Sequence, residues 1–297
     1  MTMHLPFRLL VVVSLILWSW CAAALAQDTQ PSAAQLAWQA AVKTATTGPA
    51  NITLGEQGVL HLPSEMQFIK KAEASTLMKA WGNFVGETFL GIVVPRRDGQ
   101  YWALTIDHVA EGFVKDDEAK NWNADELLQS LRAGAEEQNK ERLEMGIPAM
   151  EVVGWIEPPN YDVPSHRLAW SLKVVVSGAP ADAPAGVNYN TYALGRDGYF
   201  QLNLLTYDTT IAKEKPYARQ LLAALEYNSG KRYGDFDASS DHIAEYGLAA
   251  LVGGIAAKKL GLLSLAGVFF LKFAKFIAIG AAVFGAAIAQ FFRRRSS

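Results

Sequence analysis

Three acidic residues stand side by side at Asp116, Asp117 and Glu118, and two more follow at Asp125 and Glu126. Clustered carboxylate oxygens are what a hard cation requires, so the run is tested first as a calcium loop. Such a loop needs a glycine at its sixth position and a bidentate glutamate at its twelfth; counting from Asp116 gives Asn121 and Leu127. The motif fails, and Asp116, Asp117 and Glu118 are left as an irregular metal candidate or a solvated turn. The second candidate is catalytic. Asp107 and His108 are adjacent, and Glu111 follows His108 at the i,i+3 spacing that aligns two groups on a helix. Yet "WALTIDHV" has the composition of a strand, where His108 and Glu111 face opposite sides. His61, His108 and His166 can be drawn as a zinc trio, although no paired H-x-x-x-H spacing supports it. Asp107-His108 with a distant serine can be drawn as a triad, which only geometry would establish. No G-x-S-x-G, G-x-x-x-x-G-K-[ST] or G-x-G-x-x-G occurs. No cofactor is implied.

The elements that would carry these residues are strand-rich. Arg97-Asp98-Gly99 and Arg196-Asp197-Gly198 each separate two strand-like runs, as Asp-Gly does in hairpins needing positive φ. Gly55 to Gly58 makes a further hairpin turn, and "MEVVGWI" and "HRLAWSLKVVV" flank the turn-rich "EPPNYDVPS". Helices are expected around 34–42, over "AEASTLMKAWGN" closed by Gly82, and after Asn123, whose spacing to Glu126 is that of a capping box. On this last helix Leu127, Leu128, Leu131 and Ala135 form the apolar stripe, and Glu136 and Lys140 pair at i,i+4. Pro216 is expected to start another, with Leu221, Leu222 and Leu225 buried and Gly230 ending it. The fold class is therefore α+β, a mostly antiparallel sheet with several short helices. The aromatics Trp102, Trp122, Trp155, Trp170, Tyr161, Tyr189, Tyr192, Tyr199 and Phe200 are either cross-strand core pairs or the lining of a groove for sugars or an extended peptide.

The two ends concentrate the hydrophobic residues, which make up 51% of the 297-residue chain. Arg8, the apolar run Leu9 to Trp20 and Ala24-Leu25-Ala26 read as a signal peptide over residues 1–26. Cys21, the only cysteine, lies within it behind the bulky Trp20, which argues against lipidation and leaves the mature chain without a thiol. Near the other end, residues 276–292 carry no charge, which is about 25 Å of helix, and Arg293-Arg294-Arg295 follows directly. Lys272 and Lys275 can snorkel at its edge, giving a transmembrane helix over 272–292 and a basic cytoplasmic tail over 293–297. Ala278, Ala282 and Ala286, and Ala281, Gly285 and Ala289, form two small-xxx-small lines suited to self-association or a protein partner.

Charge follows the same division. Seven of the 27 basic residues and none of the 29 acidic ones lie beyond residue 245, leaving the rest with 20 against 29, a net of −9. An acidic domain of this kind is a poor nucleic-acid binder. The expected organisation is an N-terminal extension over 27–50, an exported α+β domain over 51–236 and a juxtamembrane helical segment over 237–271 that lies on, or alternatively crosses, the membrane. Lys258 and Lys259 favour the former.

The stretches "GFVKDDEAKNWNADELLQSL", "VVGWIEPPNYD", "VNYNTYALGRDG" and "DHIAEYGLAALVGGIAAKKLGLL" together resemble a bacterial family of uncharacterised membrane-anchored proteins, the domain of unknown function numbered 2167. The likeness runs from the Asn51 region to the arginine tail. It implies a cell-envelope protein with a signal peptide and a C-terminal anchor, and supplies no established activity or catalytic residues. The family's acidic run is often a triple aspartate; Asp116-Asp117-Glu118 keeps its charge and oxygens, so the cation question stays open. The resulting expectation is a bacterial inner-membrane protein with its bulk in the periplasm and its C-terminus cytoplasmic, a non-enzymatic domain binding a partner or an envelope polymer. The alternative is a periplasmic hydrolase or metal-dependent enzyme built on the Asp107/His108 region.

Overall fold

The computed structural model describes residues 32–253 apart from 82, 84, 98, 101, 121–122, 145–147 and 181–182. The predicted signal peptide with Cys21, the residues beyond 253 with their predicted span and small-residue lines, and Gly82, Asp98 and Trp122 lie outside the described residues. Among those described, no helix is long and apolar enough to cross a membrane.

The expected α+β class is what the chain forms. Eight strands make one sheet: β1 (Thr46–Thr47), β4 (Met66–Lys70), β5 (Phe89–Pro95), β6 (Ala103–Val109), β10 (Tyr199–Tyr207), β9 (Gly186–Leu194), β8 (Arg167–Val176) and β7 (Met150–Asp162), in that spatial order. A smaller sheet has the order β11 (Leu225–Tyr227), β3 (Gly58–Leu62), β2 (Ala50–Leu54). Every pairing of named strands is antiparallel. Both faces of the large sheet are covered, and β9 and β10 at its centre are accordingly buried along most of their length.

On one face, Leu104, Ile106, Phe200, Leu202, Leu204 and Tyr189 pack against Leu60 and Leu62 of the small sheet and against Ala218, Leu221 and Leu222 of helix α4 (Ile211–Ala223). On the other, helices α1 (Ala33–Lys43) and α2 (Lys71–Ala80) cover β4 and β5, with Ala41, Leu77 and Met78 against Ile69, Ile92 and Val94. Helix α3 (Ala124–Glu144) and helix α5 (Leu248–Gly253) cover the far end, with Leu127, Leu131, Ala135 and Leu248 against Leu168, Trp170 and Leu172.

Asn123 does cap α3: its Oδ1 accepts from the backbone N–H of Asp125 at 2.9 Å. The return arm of the expected box differs, since Glu126 Oε1 takes the Asn123 side-chain amide at 3.4 Å. Lys140 pairs with Glu137 at 2.6 Å and not with Glu136, the i,i+3 partner being within easier reach. The helix expected to begin at Pro216 begins at Ile211, and Pro216 lies inside it. Ile211 is buried and fastens the extra turn, which offsets the hydrogen bond that proline cannot donate. Leu225 belongs to β11, not to the helix. The stretch "EPPNYDVPS" is largely strand, with β7 running through Pro158-Pro159 to Asp162. Prolines are tolerated there because β7 is an edge strand.

Candidate functional site

Adjacent residues on a strand point to opposite faces, and β6 divides the first catalytic candidate in this way. His108 sits opposite Phe200, whose ring meets the imidazole edge-on at 4.9 Å. Asp107 sits opposite Gln201 on the other face and accepts from Thr88 Oγ1 at 3.0 Å. The pair therefore shares no space in which one could orient the other. Burial holds the His108 imidazole below its ordinary range, Asp197 acting against that shift and Lys231 with it. Glu111 lies beyond the end of β6 and accepts from Tyr246 Oη at 2.7 Å, so no helical alignment with His108 arises.

The histidines do not gather. His61 is on the small sheet, 2.8 Å from Asn51 Oδ1 and 3.4 Å from Glu226; His108 lies between the sheets; His166 sits at the tip of the β7–β8 hairpin. Among the described residues no group of three or more His, Asp or Glu is placed to hold a metal ion. Asp117 opens a 3₁₀ turn and is exposed; the Glu118 side chain is outside those described.

Asp116 has definite partners. Its Oδ2 accepts from Tyr161 Oη at 2.7 Å and lies 3.3 Å from His166 Nδ1; Tyr161 Oη is also 3.1 Å from that nitrogen. With the tyrosine hydroxyl donating to the carboxylate, the network assigns the imidazole hydrogen to Nδ1. Nε2 is then an acceptor, and it has no hydrogen-bond partner among the described residues. The side chains of His166 and Asp116 are 31% and 22% exposed, so the group is reachable from solvent. Burial, then the hydrogen bond to Asp116, pushes the Tyr161 phenol far above its ordinary range, which keeps it a donor. His166 is the one non-glycine residue with positive φ among those described, at 52°.

Rings support this polar end. His166 stacks on Tyr233 at 4.0 Å, Tyr233 meets Phe113 at 4.4 Å, and Phe113 stacks on Phe236 at 3.9 Å. A bridge between Phe113 and Ile243 fixes the segment before Asp116, and Tyr233 Oη donates to the Val114 carbonyl at 3.0 Å. The four-ring column thus comes from three separate stretches of chain. Sequence reading missed Phe113, Tyr233 and Phe236, because nothing in their spacing announces a shared stack. Of the aromatics singled out earlier, Trp102, Trp170, Tyr189, Tyr192, Tyr199 and Phe200 are buried in the core and line no groove; Trp155 and Tyr161 are half-buried.

A search of curated proteins returns no match. Among solved structures the chain is similar to cyanobacterial PsbP (CyanoP) from Synechocystis sp. PCC 6803, at 8% identity and a TM-score of 0.36, covering 63% of this chain and 99% of that one. It is also similar to the Ran-binding protein Mog1p of Saccharomyces cerevisiae, at 14% identity and a TM-score of 0.31, covering 61% and 96%. Both likenesses are distant. The family model described as protein of unknown function (DUF2167) matches residues 46–285, a span that holds the Asp116–His166 site, both sheets and the start of the carboxyl-terminal segment, and the chain belongs to that family.

Proposed function

We propose that the chain is a membrane-anchored cell-envelope protein whose exported domain binds an envelope polymer, and that the His166 end of the aromatic column makes the contact. The observation that carries this reading is the partly exposed Asp116–Tyr161–His166 group on the stacked rings of Tyr233, Phe113 and Phe236. A sugar or peptide unit can lie against the ring column while a hydroxyl or amide donates to His166 Nε2, the combination of apolar body and few polar fixers that ligand sites share. The signal peptide at 1–26 and the span at 272–292 supply export and attachment, with the C-terminus cytoplasmic. A hydrolase built on Asp107 and His108 draws no support from a strand that turns the two residues apart.

Photo-crosslinking in living cells tests the reading. A photoreactive residue at Val163, which is 48% exposed in the turn beside His166, should yield polymer adducts, whereas the same residue at Leu36, 52% exposed on α1, should not. Equal labelling at both positions, or none at Val163, would overturn it.

A further inference from the structure

Three polar atoms without a hydrogen-bond partner stand at one end of the space between the two sheets: His108 Nε2 on β6, Gln57 Oε1 in the β2–β3 turn and Asp197 Oδ1 in the β9–β10 turn. Each atom is shut off from solvent. Both sheets contribute to bringing the three residues together. His108 meets the Phe200 ring edge-on, and Gly58, next to Gln57, packs so close to the same ring that a Cβ there would lie 3.1 Å from its Cε2. Asp197 sits at the end of β6, where its carbonyl accepts from the Gly112 N–H at 3.2 Å, and its charge is felt at His108. Gln57 Nε2 in turn donates to Asp197 Oδ2 at 3.3 Å. A buried polar atom left unpaired costs about 1–3 kcal/mol, so three at one place point to a ligand.

We infer that Gln57 Oε1, His108 Nε2 and Asp197 Oδ1 form a binding site for a divalent cation of the zinc type. One imidazole nitrogen and two oxygens are a donor set that such an ion accepts, and three protein ligands leave a position for water. Because the third ligand is an amide, the site contains only two of the His, Asp and Glu residues on which metal centres usually draw.

The carboxylate is already fixed for this role. Lys231 Nζ at 2.9 Å and Gln57 Nε2 at 3.3 Å both donate to Asp197 Oδ2, so Oδ1 is the oxygen left to ligate. Ligating carboxylates are held through hydrogen bonds of this kind. The Lys231 ammonium also opposes the charge of the ion, which makes the site weaker than a closed structural centre. Entry is from the rim, where the Asp197 and Lys231 side chains are 39% and 32% exposed. The inference goes beyond polymer binding and holds whether or not His166 takes a ligand.

Zinc titration of the purified full-length chain, followed by calorimetry and by metal content after gel filtration, tests it. Wild type should bind one ion per chain, and zinc should raise its melting temperature. His108→Gln and Asp197→Asn should each weaken binding by about tenfold or more, a lost ligand costing no less than a lost outer-shell group. His61→Ala and His166→Ala should leave it unchanged. Gln57 lies in a partly exposed turn, so its variants decide the matter even where a His108 variant fails to fold. Gln57→Glu, which keeps an oxygen, should retain the ion, and Gln57→Leu should lose it. No binding by folded wild type would overturn the proposal. So would binding that survives Asp197→Asn and Gln57→Leu unchanged, or that disappears with His61→Ala or His166→Ala.

Discussion

A histidine held at φ 52° sits where a residue with a Cβ pays a conformational cost, so the backbone and the imidazole of His166 can be tested apart. Glycine accepts this conformation freely, whereas a β-branched residue does not. His166→Val should therefore unfold about 1–2 kcal/mol more readily than His166→Gly in urea titrations, although both lose the same ring. His108 gives a second prediction. Its folded pKa is depressed below its ordinary value of 6.5, burial being the main cause, so its contribution to stability is complete above pH 6.5 and is lost as pH falls through the folded value. The depressed carboxyls of Glu157 and Asp197 lose theirs only from about 4.5 and 3.8 downward. The decline between pH 6.5 and 5 should consequently flatten in His108→Leu, and an unchanged slope in unfolding midpoints would contradict the assignment.

Among the elements, the edge strand β7 is guarded in a way that can be measured. Asn139 of α3 clamps Met150, donating to its carbonyl and accepting from its N–H, both at 2.8 Å, and Arg132 donates to the Val152 and Val153 carbonyls. Side chains of one helix thus occupy bonds that a ninth strand would otherwise seek. Asn139→Ala should cost about 1–3 kcal/mol and raise aggregation on heating, followed by light scattering. The β9–β10 turn makes a sharper demand. Gly198 has φ 152°, and a Cβ there would lie 1.9 Å from the Val109 carbonyl oxygen, so Gly198→Ala should destabilise by about 1–3 kcal/mol or more. The Arg-Asp-Gly signal was legible in the sequence because its chemistry is local. The start of α4 was not: Pro216 is a strong start signal, and the burial of Ile211 that overrides it is tertiary. The same distinction explains the site. Asp116 stood out as a charge, but its partners Tyr161, His166 and Tyr233 come from distant stretches that only the hairpin tip and the Phe113–Ile243 bridge assemble.

For the whole molecule, the antiparallel pairing and the capped α3 were readable from period and turn chemistry, while the number of strands and the order of the eight in the large sheet depend on long-range packing that no window of sequence contains. Topology is the first prediction at this scale: a reporter active only in the periplasm, fused after Ser297, should be silent, and strong activity would refute a single span with a cytoplasmic end. The central claim is that the His166 end of the aromatic column binds an envelope polymer, and sedimentation of the full-length chain with purified cell-wall polymer tests it most directly. Wild type should co-sediment, and His166→Gly and Asp116→Asn should each weaken binding by roughly tenfold, the loss of one hydrogen bond to a polar group. Equal sedimentation of wild type and both variants, or none by the wild type, would contradict the account.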